Sequence, residues 1–150
     1  MHGPARDLSG PCLVANLPRM PKQIVPFLMF TGDAERAMTF YTSLFDDGRV
    51  VELTRFTSEG PGAEGTVQRA RFSLAGQEFL CTDSPPVHDF SFTPSFSIWI
   101  ETGSEDELER LFAALSDGGT ELMPLGDYGF SRRFGWLNDR YGVSWQLNLG

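Results

Sequence analysis

Apolar positions along this chain alternate between two spacings, and each change of spacing marks an element. Ile24 to Phe30 is a nearly continuous apolar run broken by Pro26, which predicts a strand at an edge or with an irregular start. Asp33 is placed to cap a helix, with Glu35 in its first turn at the positive end of the dipole. Ala34, Ala37, Met38, Tyr41 and Phe45 then recur on one helical face, and Gly48 supplies a stop. Val50 to Phe56 and Thr66 to Leu74 read as strands. In the second, Ala70, Phe72 and Leu74 alternate with Arg69, Arg71 and Ser73, the period of a half-buried strand. A turn at Gly76–Gln77 leads into a further strand, Glu78 to Thr82. Pro85–Pro86 closes this unit, and the stretch to Thr93 reads as a linker.

The same order then returns. Ser95 to Glu101 predicts a strand, and Ser104 with Glu107 three residues later forms a capping box. Leu108, Leu111, Phe112 and Leu115 supply the apolar face of the second helix, and Gly118–Gly119 ends it. Strands are expected near 120–125, 132–138 and 143–149. Adding 71 to Asp33, Ala37, Phe40, Tyr41, Leu44 and Gly48 gives Ser104, Leu108, Leu111, Phe112, Leu115 and Gly119. The same shift carries Phe27-Leu28-Met29 onto Ile98-Trp99-Ile100. Near the end the shift falls to 66, pairing Gln77 to Cys81 with Val143 to Leu147, and the longer Ser58–Gly65 loop of the first unit absorbs the difference. The chain therefore reads as two β-α-β-β-β units, 22–86 and 94–150, with a cleft expected where they meet.

At 150 residues and 41% hydrophobic, the chain suffices for one folded domain, 22–150, after a flexible Pro- and Gly-rich extension over 1–21. No apolar run approaches the roughly 20 residues that span a bilayer, so no membrane association is expected. A formal net charge of −8 repels phosphate backbones and argues against nucleic acid. Two cysteines, Cys12 and Cys81, permit one bridge at most, which suits a reducing cytoplasm. Gly60-Pro61-Gly62-Ala63-Glu64-Gly65 spells a dinucleotide fingerprint. The residues after it alternate like a strand, so the helix that would hold a pyrophosphate is missing, and the segment reads as a hairpin loop.

Three segments carry a family resemblance: Pro26 to Phe30 leading to Ala37 to Tyr41, Ser97 to Glu101 before its capped helix, and Gly135-Trp136-Leu137-Asn138-Asp139-Arg140-Tyr141-Gly142-Val143-Ser144-Trp145-Gln146. Together they resemble the vicinal oxygen chelate superfamily of glyoxalase I, extradiol dioxygenases and bleomycin-resistance proteins, and within it the PhnB-like branch labelled demethylubiquinone methyltransferase-like. The resemblance implies an α+β fold in which eight strands curl into a mixed-sheet trough with helices on the convex face. It also implies a homodimer. Metal-dependent members draw ligands from four strand positions, which carried onto this chain are Pro26, Leu80, Ser97 and Gln146.

Those four residues make a poor metal site, because catalytic divalent ions need imidazole, carboxylate or thiolate donors. The chain has two histidines in all, His2 and His88. No metal or other cofactor is therefore expected. Strand alternation predicts that Leu28, Phe30, Leu80, Ser97, Trp99, Ser144 and Gln146 face the trough, with Phe27, Met29, Phe79, Ile98, Ile100, Trp145 and Leu147 beneath the helices. Such walls suit binding or sequestering an aromatic or partly apolar metabolite. The alternative is a lyase or isomerase with a divergent metal site, its proton chemistry falling to Glu78, Gln146 and His88. Cys81 takes the helix-facing parity and reads as a small core residue.

Overall fold

The computed structural model describes residues 19–150; the expected flexible extension, apart from residues 19–21, lies outside the described residues. Ten elements follow in the order anticipated: β1 (Phe27–Phe30), α1 (Ala34–Ser43), β2 (Arg49–Arg55), β3 (Val67–Leu74), β4 (Gln77–Asp83), β5 (Ser97–Thr102), α2 (Glu105–Ser116), β6 (Thr120–Gly126), β7 (Arg133–Asn138) and β8 (Ser144–Leu149). The eight strands form two four-stranded mixed sheets of identical topology, β1-β4-β3-β2 and β5-β8-β7-β6. Each ladder contains one parallel pair, β1 with β4 and β5 with β8, and is otherwise antiparallel. This is the glyoxalase-like α+β architecture, with its strands divided between two separate ladders.

Each sheet lays one face against its helix. Helix α2 buries Leu108, Leu111, Phe112 and Leu115, the four expected positions. Ser104 caps it, accepting from the Glu107 backbone N–H at 3.2 Å, while Glu107 reaches back to the Gly103 N–H at 3.1 Å. Gly135 on β7 leaves room for this helix, since a Cβ there would overlap the Phe112 ring. Helix α1 is shorter than its sequence suggests, ending at Ser43 rather than at Gly48. Its cap also differs from expectation. Asp33 makes no side-chain capping bond and pairs with Arg36, one turn along. The capping carboxylate is Asp83, buried at the end of β4. It accepts from the Gly32 and Ala34 N–H groups at 2.8 and 2.9 Å and from Val67 N–H at 2.9 Å. A residue fifty positions away thus does what the neighbouring Asp33 was expected to do.

Cross-strand register corrects the orientation of β1. Phe27 lies beside Leu80, and Leu28 beside Cys81. Cys81 and Phe79 are buried on the helix side, so Leu28 and Phe30 join them there, at 4% and 3% exposure, while Phe27 stands 56% exposed on the opposite face. Leu28 and Phe30 are therefore core residues, not trough residues, and Phe27 and Met29 exchange places with them. On β5 the expected parity holds: Trp99 lies beside Gln146, and Ile98 and Ile100 lie beside Trp145 and Leu147. With Leu80 equivalent to Gln146, Phe27 is equivalent to Trp99 at a shift of 72. The sequence repeat, aligned at 71, is displaced by one residue in this strand, and a one-residue displacement turns every side chain to the other face.

Both helix-side faces contribute to one hydrophobic core, which includes Phe72, Phe79 and Cys81 from the first unit and Trp145 and Leu147 from the second. Tyr41 meets Trp145 edge to face, ring centroids 5.1 Å apart. Between them lies Asp139, 4% exposed, whose carboxylate accepts four hydrogen bonds. Tyr41 Oη donates at 2.5 Å and Trp145 Nε1 at 2.8 Å to Oδ2; the backbone N–H groups of Tyr141 and Val143 donate at 2.8 and 3.1 Å to Oδ1. Gly142, at φ +90°, closes the turn that makes this possible, its N–H bonding to the Asp139 carbonyl at 2.9 Å.

Asp139→Ala should cost about 3–5 kcal/mol in denaturant unfolding, because it strands two buried donors as well as removing the turn. Tyr41→Phe should cost about 1 kcal/mol, since Asp139 keeps three donors. Burial first, then the Asp139 charge and hydrogen bond, push the Tyr41 phenol far above its ordinary value. It stays protonated when folded and ionises above about pH 10 when unfolded, so stability falls as pH rises past that point. Tyr41→Phe should flatten this alkaline decline, read as the slope of unfolding free energy against pH.

Candidate functional site

The helix-free face of the second sheet holds most of the residues expected to line a site. Register places Ser97, Ser144 and Asn138 in one row across it, and Trp99, Gln146 and Trp136 in the next. A third row is Glu101, Asn148 and Phe134. Ser97 and Ser144 share a hydroxyl–hydroxyl hydrogen bond of 2.7 Å; Trp136 Nε1 donates to Ser144 Oγ at 2.9 Å, and Gln146 Nε2 to Ser97 Oγ at 3.0 Å. Because the two serines need only one hydroxyl hydrogen between them, the other hydrogen and Gln146 Oε1 can serve a ligand. Trp99 is 50% exposed beside this network. Its indole N–H donates to Glu101 at 3.1 Å, and Asn148 Nδ2 donates to the same carboxylate at 2.8 Å. These two bonds, the Trp99 bond foremost, hold the Glu101 carboxyl below the usual range.

Leu80 stands on the helix-free face of the first sheet, a wall of different character. It lies beside Arg71, whose guanidinium donates to Glu78 at 2.7 Å and to Gln23 at 2.8 Å. Gln23 Nε2 in turn donates to Glu78 at 3.0 Å, and the Gln23 and Arg71 bonds hold the Glu78 carboxyl below its usual value. A carboxylate so engaged gains little by taking a proton near neutrality, which weakens it as a general base. His88 lies in the linker, stacked on Phe90 at 4.7 Å, and borders a cavity of about 190 Å³ with Asp33, Phe92 and Tyr141. Glu78, Gln146 and His88 thus occupy three separate places: the first wall, the second wall, and the linker beside α1.

The donor set at the four inherited metal positions does not fit a divalent ion. Pro26 and Leu80 have no donor, and neither has Val25, which the corrected shift of 72 aligns with Ser97 in place of Pro26. Ser97 Oγ is already bonded to Ser144 and Gln146, which leaves Gln146 Oε1 as one weak neutral ligand. Among the described residues, no three His, Cys, Asp or Glu side chains cluster in a way that could hold an ion. The buried Cys81 thiol is pushed up to about 12, mainly by burial and secondarily by the Asp83 charge.

Residues that matter here and were not singled out from sequence are Glu101, Trp136, Asp83 and Asp139. The last had a readable signal, since Asp-x-x-Gly is a turn signature with an acceptor at its first position. Glu101 and Trp136 acquire their roles only through cross-strand neighbours.

Two stacked β-α-β-β-β units with open, helix-free walls define a protein of the vicinal oxygen chelate class. A glyoxylase/bleomycin resistance protein/dioxygenase domain from Frankia sp. EAN1pec shares this fold, with TM-score 0.62, 15% identity, and coverage of 87% of this chain and 98% of that one. Within the class, the family model for 3-demethylubiquinone-9 3-methyltransferase matches residues 22–148, and the chain belongs to that PhnB-like family. The PhnB protein from Bacillus cereus is 53% identical, covering 86% of this chain and all of its own, with TM-score 0.83. Protein PA1353 from Pseudomonas aeruginosa is 31% identical over 86% of this chain and 98% of its own, with TM-score 0.75. No helix among the described residues is long and apolar enough to cross a membrane.

A thiol buried and held protonated reacts as slowly as the chain opens. In a Cys12→Ser variant, Ellman's reagent should therefore modify Cys81 only at the unfolding rate. Rapid reaction in native buffer would mean that the core around α1 and β4 is open.

Proposed function

We propose that this protein binds a partly aromatic small molecule, without a divalent metal, in a trough that two copies of the chain complete. The observation that carries the reading is Trp99, a large indole left half exposed beside the hydrogen-bonded cluster of Ser97, Ser144 and Gln146. Exposed aromatic surface next to a few oriented polar groups is what a ring-bearing ligand needs, because stacking supplies area and the amide fixes orientation. The family's description names a quinone-type substrate. A flat ring of that sort suits a stacking surface.

The second copy is inferred from the walls themselves. In one chain the two helix-side faces share a core, so the helix-free walls stand apart, with Phe27 and Trp99 each about half exposed. A first-sheet wall from a second copy, bringing Phe27 and Leu80 over Trp99 and Gln146, would enclose the ligand and cover those apolar residues. Without a Lewis acid, such a trough would bind, carry or sequester its ligand, oriented by Gln146 and the free serine hydroxyl.

Native mass spectrometry of the purified full chain should show a dimer retaining a small organic ligand, and elemental analysis should show metal well below one ion per chain. Stoichiometric zinc, nickel or iron that survives dialysis would sink the metal-free reading. Trp99→Ala should weaken the retained ligand about tenfold, as loss of one stacking surface predicts.

A further inference from the structure

At the free edge of β5 a groove of about 260 Å³ runs between the two units. Its lining is largely apolar: Phe45, Phe79, Ile98, Ile100 and Trp99 among others. Glu101 is the one charged side chain on it among the described residues. We infer that this groove receives a small molecule with an apolar or aromatic body and a cationic nitrogen, the nitrogen held between the Glu101 carboxylate and the Trp99 ring. The inference rests on the binding role proposed for Trp99 and adds the charge of the ligand.

Three features support it. First, Glu101 has no basic partner among the described residues, although arginines lie at the same end of the sheet. Arg132 Nε donates to the Gly150 carbonyl at 2.7 Å, and Arg133 is paired with Glu105 and Glu109. Second, the bonds from Trp99 and Asn148 keep Glu101 ionised and fix its position, and a carboxylate at the edge of an indole makes the ring face more attractive to a cation. Third, because no other charged side chain lines the groove among the described residues, a positively charged group would meet only the Glu101 charge there, whereas a carboxylate or phosphate would meet repulsion.

Outside the groove the Trp99 ring is steadied by the buried Phe134, 5.7 Å away between ring centroids.

Calorimetric titration of the full chain with benzyltrimethylammonium, benzyl alcohol and benzoate tests the inference. The cation should bind about tenfold more tightly than the alcohol, and benzoate weakest of the three. Glu101→Gln removes the charge while keeping one of the two acceptor oxygens, so it retains the Trp99 or the Asn148 bond but not both, and should erase the preference for the cation. Trp99→Ala should weaken cation and alcohol alike. If alcohol or benzoate matches the cation, or the preference survives Glu101→Gln, the inference is overturned while ring binding at Trp99 stands. If none of the three binds to the unmodified protein at millimolar concentration, both this inference and the binding role of Trp99 fall.

Discussion

A buried carboxylate is tolerated only when its lone pairs are met by donors, and that requirement at Asp139 joins the two halves of this molecule. Its four donors come from α1 of the first unit, from β8 of the second, and from the turn between β7 and β8. Moving either unit relative to the other would break the Tyr41–Asp139 bond and leave a buried phenol without its partner. The aromatic contact between Tyr41 and Trp145 fills the space beside this joint. Asp83 does a similar task within the first unit, tying the start of α1 to the ends of β3 and β4. Two buried acids, each reached by at least one donor distant in sequence, thus set where the sheets stand and which faces they turn outward.

The outward faces differ chemically although the units share a topology. On the first wall Arg71, Glu78 and Gln23 bond to one another and leave little uncommitted. The second wall carries indole, hydroxyl and amide groups in rows, with Glu101 at one end. Duplication therefore produced two similar scaffolds whose exposed surfaces diverged. Exposed indole area and oriented hydrogen-bonding groups coincide on the second, which is the ground for proposing a binding site there.

Much of the fold could be read from residue order. Alternation located eight strands to within a few residues, and i, i+3, i+4 spacing located both helices. The Ser104 capping box was legible because its two halves lie within one turn. The candidate site was legible in part: Ser97, Trp99, Ser144 and Gln146 do share a face. Leu28 and Phe30 were misplaced because β1 is apolar at every position, so alternation carries no signal there and orientation depends on the neighbouring strand. Asp33 holds the N-cap position as expected, but the carboxylate that meets the helix N–H groups is Asp83, which arrives from another strand.

Local order in the chain established the elements, their repetition, the family and the residue types at the inherited metal positions, since each depends on residue type and spacing over a few turns. Tertiary structure decided which face of β1 is buried, which acid caps α1, how Asp139 binds the halves together and that Glu101 lies at the rim of an apolar groove. These are contacts between residues fifty to a hundred positions apart, and short-range periodicity holds no information about which distant donor will meet which acceptor.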